Sequence, residues 1–164
     1  MKLFIYTLLL LMIAGCSNKN AFTQFEMTKE QELSVSNLLS DKIKSKDGNI
    51  KGVISAIYLN EIYPKSYNTH EYFFVYMFLK EKQNMSNPKE FDNLSLNLKL
   101  NGKTPLKIKQ LKNENRFSNL AFIKSEWNRY YLVAFEKDEN PIINLTLEGD
   151  GFSSNALVYN RDKI

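Results

Sequence analysis

One cysteine, one histidine and one tryptophan occur in 164 residues, with only six glycines and four prolines. A single cysteine cannot close an intramolecular disulfide, and a single histidine cannot supply a two-histidine metal site from this chain alone. The glycines form no phosphate-cradling loop, no nucleophile elbow and no Ca²⁺-loop pattern. Neither sign of charge dominates, since 22 Lys and Arg against 18 Asp and Glu leave a formal charge of +4. That excess is small for a nucleic-acid binder, and the interleaved aromatics of a single-strand platform are missing. There is no internal repeat and no low-complexity tract. What remains is 43% hydrophobic and 13% aromatic, the composition of one ordinary globular domain. A domain of this length buries roughly 70% of its unfolded surface without staples.

The first residues are organised differently from the rest. Met1-Lys2 gives a positive start, Leu3 through Ile13 is an almost unbroken apolar run, and Ala14-Gly15 place small residues before Cys16. This is the three-part pattern of a signal peptide. The run is far shorter than the roughly 20 residues a membrane-crossing helix needs. Ile13-Ala14-Gly15-Cys16 resembles the lipobox of bacterial lipoproteins. The resemblance implies cleavage between Gly15 and Cys16, a diacylglycerol thioether on Cys16 and an N-acyl chain on its new amino group, palmitate among the candidate acyl groups, with no other cofactor. One acyl chain holds a protein marginally and two or three hold it stably. By the same resemblance Ser17, standing where an Asp would retain the protein at the inner membrane, favours the outer membrane. The expected layout is a cleaved leader over residues 1–15, a lipidated Cys and tether over 16–27, and a domain over 28–164.

Within the domain, Thr28-Lys29-Glu30-Gln31 fits a capping box. Val35, Leu38, Leu39 and Ile43 then follow at helical spacing, which predicts a helix over 29–43; the alternation of Leu33, Val35 and Leu39, among poor helix formers, leaves a strand as the other reading. Beyond the Asp47-Gly48-Asn49 turn, short apolar stretches predict about seven strands: 50–62, 72–79, 94–100, the return after Pro105, 127–135, 142–147 and 156–159. Asn101-Gly102 predicts a type I′ hairpin joining the third and fourth, with Pro105 placing the return strand at an edge. The fold class expected is mainly β: a single antiparallel immunoglobulin-like β-sandwich with a short N-terminal helix. Together with the lipobox and an Asn- and Lys-rich composition, the run Trp127-Asn128-Arg129-Tyr130-Tyr131-Leu132-Val133-Ala134-Phe135 resembles the small immunoglobulin-like lipoproteins of Campylobacter-like bacteria. That resemblance implies the same sandwich and brings no active site with it.

Several residues invite a chemical role. His70-Glu71 offers half of a general-base or metal site, but the second His of a zincin helix is missing, so a turn histidine at a strand start is the expected reading. Glu136, Asp138 and Glu139 flank Pro141 and read as a solvated turn rather than a carboxylate pair. Lys99, Lys103, Lys107, Lys109 and Lys112 form a basic stripe across the predicted hairpin, suited to an anionic partner or to guarding an edge strand. Trp127, with Arg129, is either an aromatic anchor for a partner or part of the core, and alternation with Tyr131, Val133 and Phe135 favours the core. The expected function is therefore a non-enzymatic, lipid-anchored envelope module at the outer membrane or cell surface. Its partners are the membrane through the anchor and an envelope protein or glycan, with no nucleic acid, no metal and no catalytic set. A carrier or assembly factor for hydrophobic molecules is the alternative, and an envelope enzyme the third.

Overall fold

The computed structural model describes residues 27–80, 85, 96–120 and 125–161. The expected leader with Gly15, the expected lipid-attachment residue Cys16, Ser17 and the expected tether as far as residue 26 lie outside the described residues. The capping box forms as read: Gln31 N donates to Thr28 Oγ1 at 3.3 Å and Thr28 N to Gln31 Oε1 at 2.9 Å, opening helix α1 (Lys29–Ser36). The helix stops at Asn37, where the expected helix over 29–43 fails. Leu38–Ser45 is instead strand β1, paired antiparallel with Ile50–Tyr58, strand β2. Ser34, Ser36 and Asn37 weaken the helix locally, and sheet pairing decides the rest. Residues 59–62, read as the end of a strand, turn instead into a short helix, α2 (Leu59–Ile62).

The remaining strands are β3 (Glu71–Leu79), β4 (Leu96–Leu100), β5 (Lys107–Leu111), β6 (Arg129–Phe135), β7 (Ile142–Gly149), β8 (Phe152–Ser153) and β9 (Leu157–Asn160). They join β1 and β2 in one antiparallel sheet of order β4-β7-β8-β1-β2-β3-β6-β5, with β9 also on β7. The two strands beyond the expected seven are β1 and the two-residue β8, which together link the β4-β7 arm to the rest.

The Asn101-Gly102 turn is present, with positive φ at both positions. It closes only one bridge, Leu100 to Lys103. The predicted hairpin then opens: β4 pairs with β7, β5 pairs with β6, and the two lie at opposite ends of the strand order. The turn reverses the chain, but Pro105 cannot continue a ladder.

The sheet curls so that both arms face one core. Ile54, Phe73, Val75, Tyr131 and Phe135 from one side meet Leu98, Ile143, Leu145, Leu147 and Tyr159 from the other, all fully or almost fully buried. Phe73 sits among Tyr58, Phe135 and Tyr159 at ring separations of 5.1, 5.9 and 5.4 Å. A second cluster lies on the outer face, where Ile57, Phe74, Tyr76 and Tyr130 are covered by Phe117, Leu120, Ile62 and Tyr67. Phe74 and Tyr130 stack there with centroids 6.0 Å apart. Strand β3 is therefore apolar on both faces because both are buried. Among the described residues no helix is long and apolar enough to cross a membrane.

Candidate functional site

The basic stripe does not survive as a unit, because its carriers sit on different arms of the sheet. On β4, Lys99 pairs with Glu148 at 2.7 Å, and Lys103 lies 3.9 Å from Glu136. Lys107 and Lys109 stand on β5, both exposed, and among the described residues neither forms an ion pair. Lys112 lies just beyond β5, where its carbonyl accepts from Asn115 Nδ2.

Lys107 and Lys109 face one side of a surface groove of about 580 Å³, completed by Leu106, Leu132 and Ala134 and by His70 and Tyr72. His70 packs its ring 5.9 Å from that of Tyr72. Its neighbour Glu71, the first residue of β3, is buried on the opposite face of the sheet from Tyr72, the next residue along the strand. The two side chains that looked like half a site are on different faces.

Glu71 is fully buried. Its Oε2 accepts from Tyr58 Oη at 2.5 Å and its Oε1 from Asp138 N at 3.0 Å, while Arg161 Nη1 stands 3.3 Å and Lys137 Nζ 3.5 Å away. Burial, then the hydrogen bond to Glu71 and its negative charge, push the Tyr58 phenol well above its ordinary range, so it remains a donor at neutral pH. The cluster ties β2, β3, the loop before β7 and the end of β9 together. A carboxylate with this many fixed partners and no exposure is a tie rather than a reacting group.

Asp138 is also not the solvated turn residue expected. It is buried, accepting from Asn140 N at 2.9 Å, Asn140 Nδ2 at 2.7 Å and Asn101 Nδ2 at 3.0 Å. The Asn140 backbone amide first, and the Asn101 side chain next, hold its carboxyl below the usual carboxylate range. Glu136 and Glu139, by contrast, are exposed. Among the described residues no three His, Cys, Asp or Glu side chains group to hold a metal ion.

The aromatic candidate changes most. Trp127 does not join the core with Tyr131, Val133 and Phe135; it precedes β6 in a turn and is 79% exposed. Strand β6 begins only at Arg129, so the alternation that buries Tyr131, Val133 and Phe135 does not reach Trp127. The turn is pinned from beneath by Tyr130, whose hydroxyl accepts from Ser125 N and donates to Ser125 O, each at 3.1 Å. Trp127 N donates to Ser125 Oγ at 3.2 Å. Beside the indole a groove of about 480 Å³ is lined by Phe78, Leu79, Lys80, Glu126 and Arg129 over Met77. Phe78 is 36% exposed, and Val53, its partner across β2, 38%.

No family model, no curated protein and no solved structure matches the chain.

Proposed function

We propose that the chain is a lipid-anchored lipoprotein of the cell envelope, an immunoglobulin-like β-sandwich that acts by binding a partner rather than by catalysis. The anchor is the diacylglycerol thioether and N-acyl chain on Cys16, with the outer membrane as its address by virtue of Ser17. The observation that carries the binding role is Trp127, exposed on a turn that Tyr130 holds in place beside Phe78. An indole displayed this way is desolvated only when something covers it, and a turn already ordered costs little further entropy on association. Tryptophan and arginine, here Trp127 and the nearby Arg129, are among the residue types enriched where a few side chains dominate a contact surface.

The core between the arms of the sheet is packed with interlocking aromatic and aliphatic side chains. This supports recognition at the surface over carriage of a hydrophobic cargo inside the sheet. The partner class is an envelope protein or glycan.

Photo-crosslinking in native membranes tests the reading. A photoreactive residue in place of Trp127 yields one discrete adduct in native membranes. The same residue in place of Lys46, on the exposed turn after β1, yields none. Absence of an adduct at Trp127, or equal labelling at both positions, contradicts it.

A further inference from the structure

The second groove lies at the opposite end of β3 from Trp127 and rests on different residues. Across the outer face, one row of the sheet runs Tyr72, Ala134, Lys107 and the next runs Phe74, Leu132, Lys109. Ala134 offers only a methyl where its neighbours carry long side chains, so the surface dips there. The outer cluster covers Phe74 and Tyr130, Tyr72 and Leu132 pack against its margin, and Leu132 and Ala134 remain partly exposed. A depression of this size falls within the range of small-molecule sites.

Its chemistry is one-signed. The floor is the Tyr72 ring with Leu132 and Ala134, the rim carries His70, Lys107 and Lys109, and among the described residues no carboxylate lines it. Of the other three lysines of the basic stripe, Lys99 and Lys103 lie beside Glu148 and Glu136, whereas among the described residues Lys107 and Lys109 form no ion pair. Lys107 and Lys109 are two residues apart on one face of a strand, about 7 Å along it. Two flexible ammonium groups at that spacing close on one small anion, while their methylene stems extend the apolar wall.

We infer that this groove binds a carboxylate amphiphile, with the carboxylate between Lys107 and Lys109 and an unbranched alkyl chain lying over Tyr72, Leu132 and Ala134. Both halves of the ligand are required. A bare anion gains nothing from the floor, and a bare alkyl chain leaves the ammonium groups unpaired. Guarding the edge strand β5 would account for two lysines but not for a one-signed rim around an apolar dip.

The test is an amide-resonance titration of the full mature protein with octanoate, octanol and octylammonium. Octanoate produces saturable shifts concentrated at Tyr72, Leu132 and Ala134, and octylammonium produces none there. The double variant Lys107→Gln/Lys109→Gln weakens octanoate by at least about tenfold, the loss expected when charge-assisted contacts are removed. Ala134→Leu fills the dip and weakens octanoate to a similar degree; should that variant fold poorly, the lysine variant alone decides. Equal affinity for octanol and octanoate, full affinity in the double variant, or shifts scattered over the Trp127 end would each overturn the assignment. Neither result depends on the lipid anchor or on the partner of Trp127.

Discussion

Glu71→Ala removes an acceptor on which four groups converge. Tyr58 Oη and Asp138 N would remain as buried donors without partners, each costing about 1–3 kcal/mol. Arg161 and Lys137 also lose their counter-charge, but their side chains are 20% and 50% exposed. Water screens that loss, so the lysine adds little and the arginine only part of a buried ion pair. The expected destabilisation is roughly 3–5 kcal/mol, the range seen when a buried pair is broken from one side. For a domain of this size that corresponds to a melting point lower by about 10 °C or more. Urea unfolding at neutral pH, followed by far-ultraviolet circular dichroism, measures it. Glu71→Gln keeps an acceptor while losing the charge and falls between the two. Tyr58→Phe should couple to Glu71→Ala, because the two share one hydrogen bond, whereas Ser36→Ala on the exposed helix should not. A Glu71→Ala variant within about 0.5 kcal/mol of the parent, the scatter of ordinary surface changes, would refute the cluster as a tie between strands.

A Cβ on Gly52 would stand 2.2 Å from the Phe78 carbonyl oxygen and 2.9 Å from Leu79, so Gly52→Ala must push β2 from β3 and should cost about 1–3 kcal/mol in the same unfolding assay. Among the described residues, both carboxylate oxygens of Glu61 are buried without a hydrogen-bond partner. Burial raises its pKa, with the Asn37 amide and the Arg161 charge opposing. A raised carboxyl pKa stabilises the fold below the unfolded value and loses that contribution as pH rises through the folded one. Glu61→Gln should therefore be the more stable protein at pH 7, by about 1 kcal/mol, with the gap closing as pH approaches 4. Asp138 has the reverse sign: its lowered pKa gives stability that is present above the unfolded value and lost as pH falls through the folded one. Asp138→Asn should accordingly cost more at pH 7 than at pH 3 in thermal unfolding.

Local chemistry was legible in the sequence wherever the cause was local. Thr28 and Gln31 bond across three residues, and Asn101-Gly102 supplies its own backbone conformation. What those signals could not carry was pairing. A turn fixes a reversal but not which strand lies beside the next, and β4 found β7 more than 40 residues later. The same limit hid the Glu71 cluster, whose partners stand 13, 67 and 90 residues away along the chain. At Trp127 alternation misled, because an apolar residue two positions before a strand carries the strand's pattern without its burial. Of the candidate surface residues, Trp127 and Arg129 share one groove and Lys107 and Lys109 the other, while Lys99 and Lys103 sit with Glu148 and Glu136. Only the cross-strand partners separate those pairs, and no spacing in the sequence encodes them.

Everything proposed about where the domain works hangs on Cys16, and intact-mass spectrometry of protein extracted from its own membranes addresses it directly. The native chain should lack residues 1–15 and carry the mass of a diacylglyceryl group with a further acyl chain, and Cys16→Ala should carry neither increment. A native mass equal to the bare polypeptide, or the same increment in both proteins, would contradict the lipid anchor.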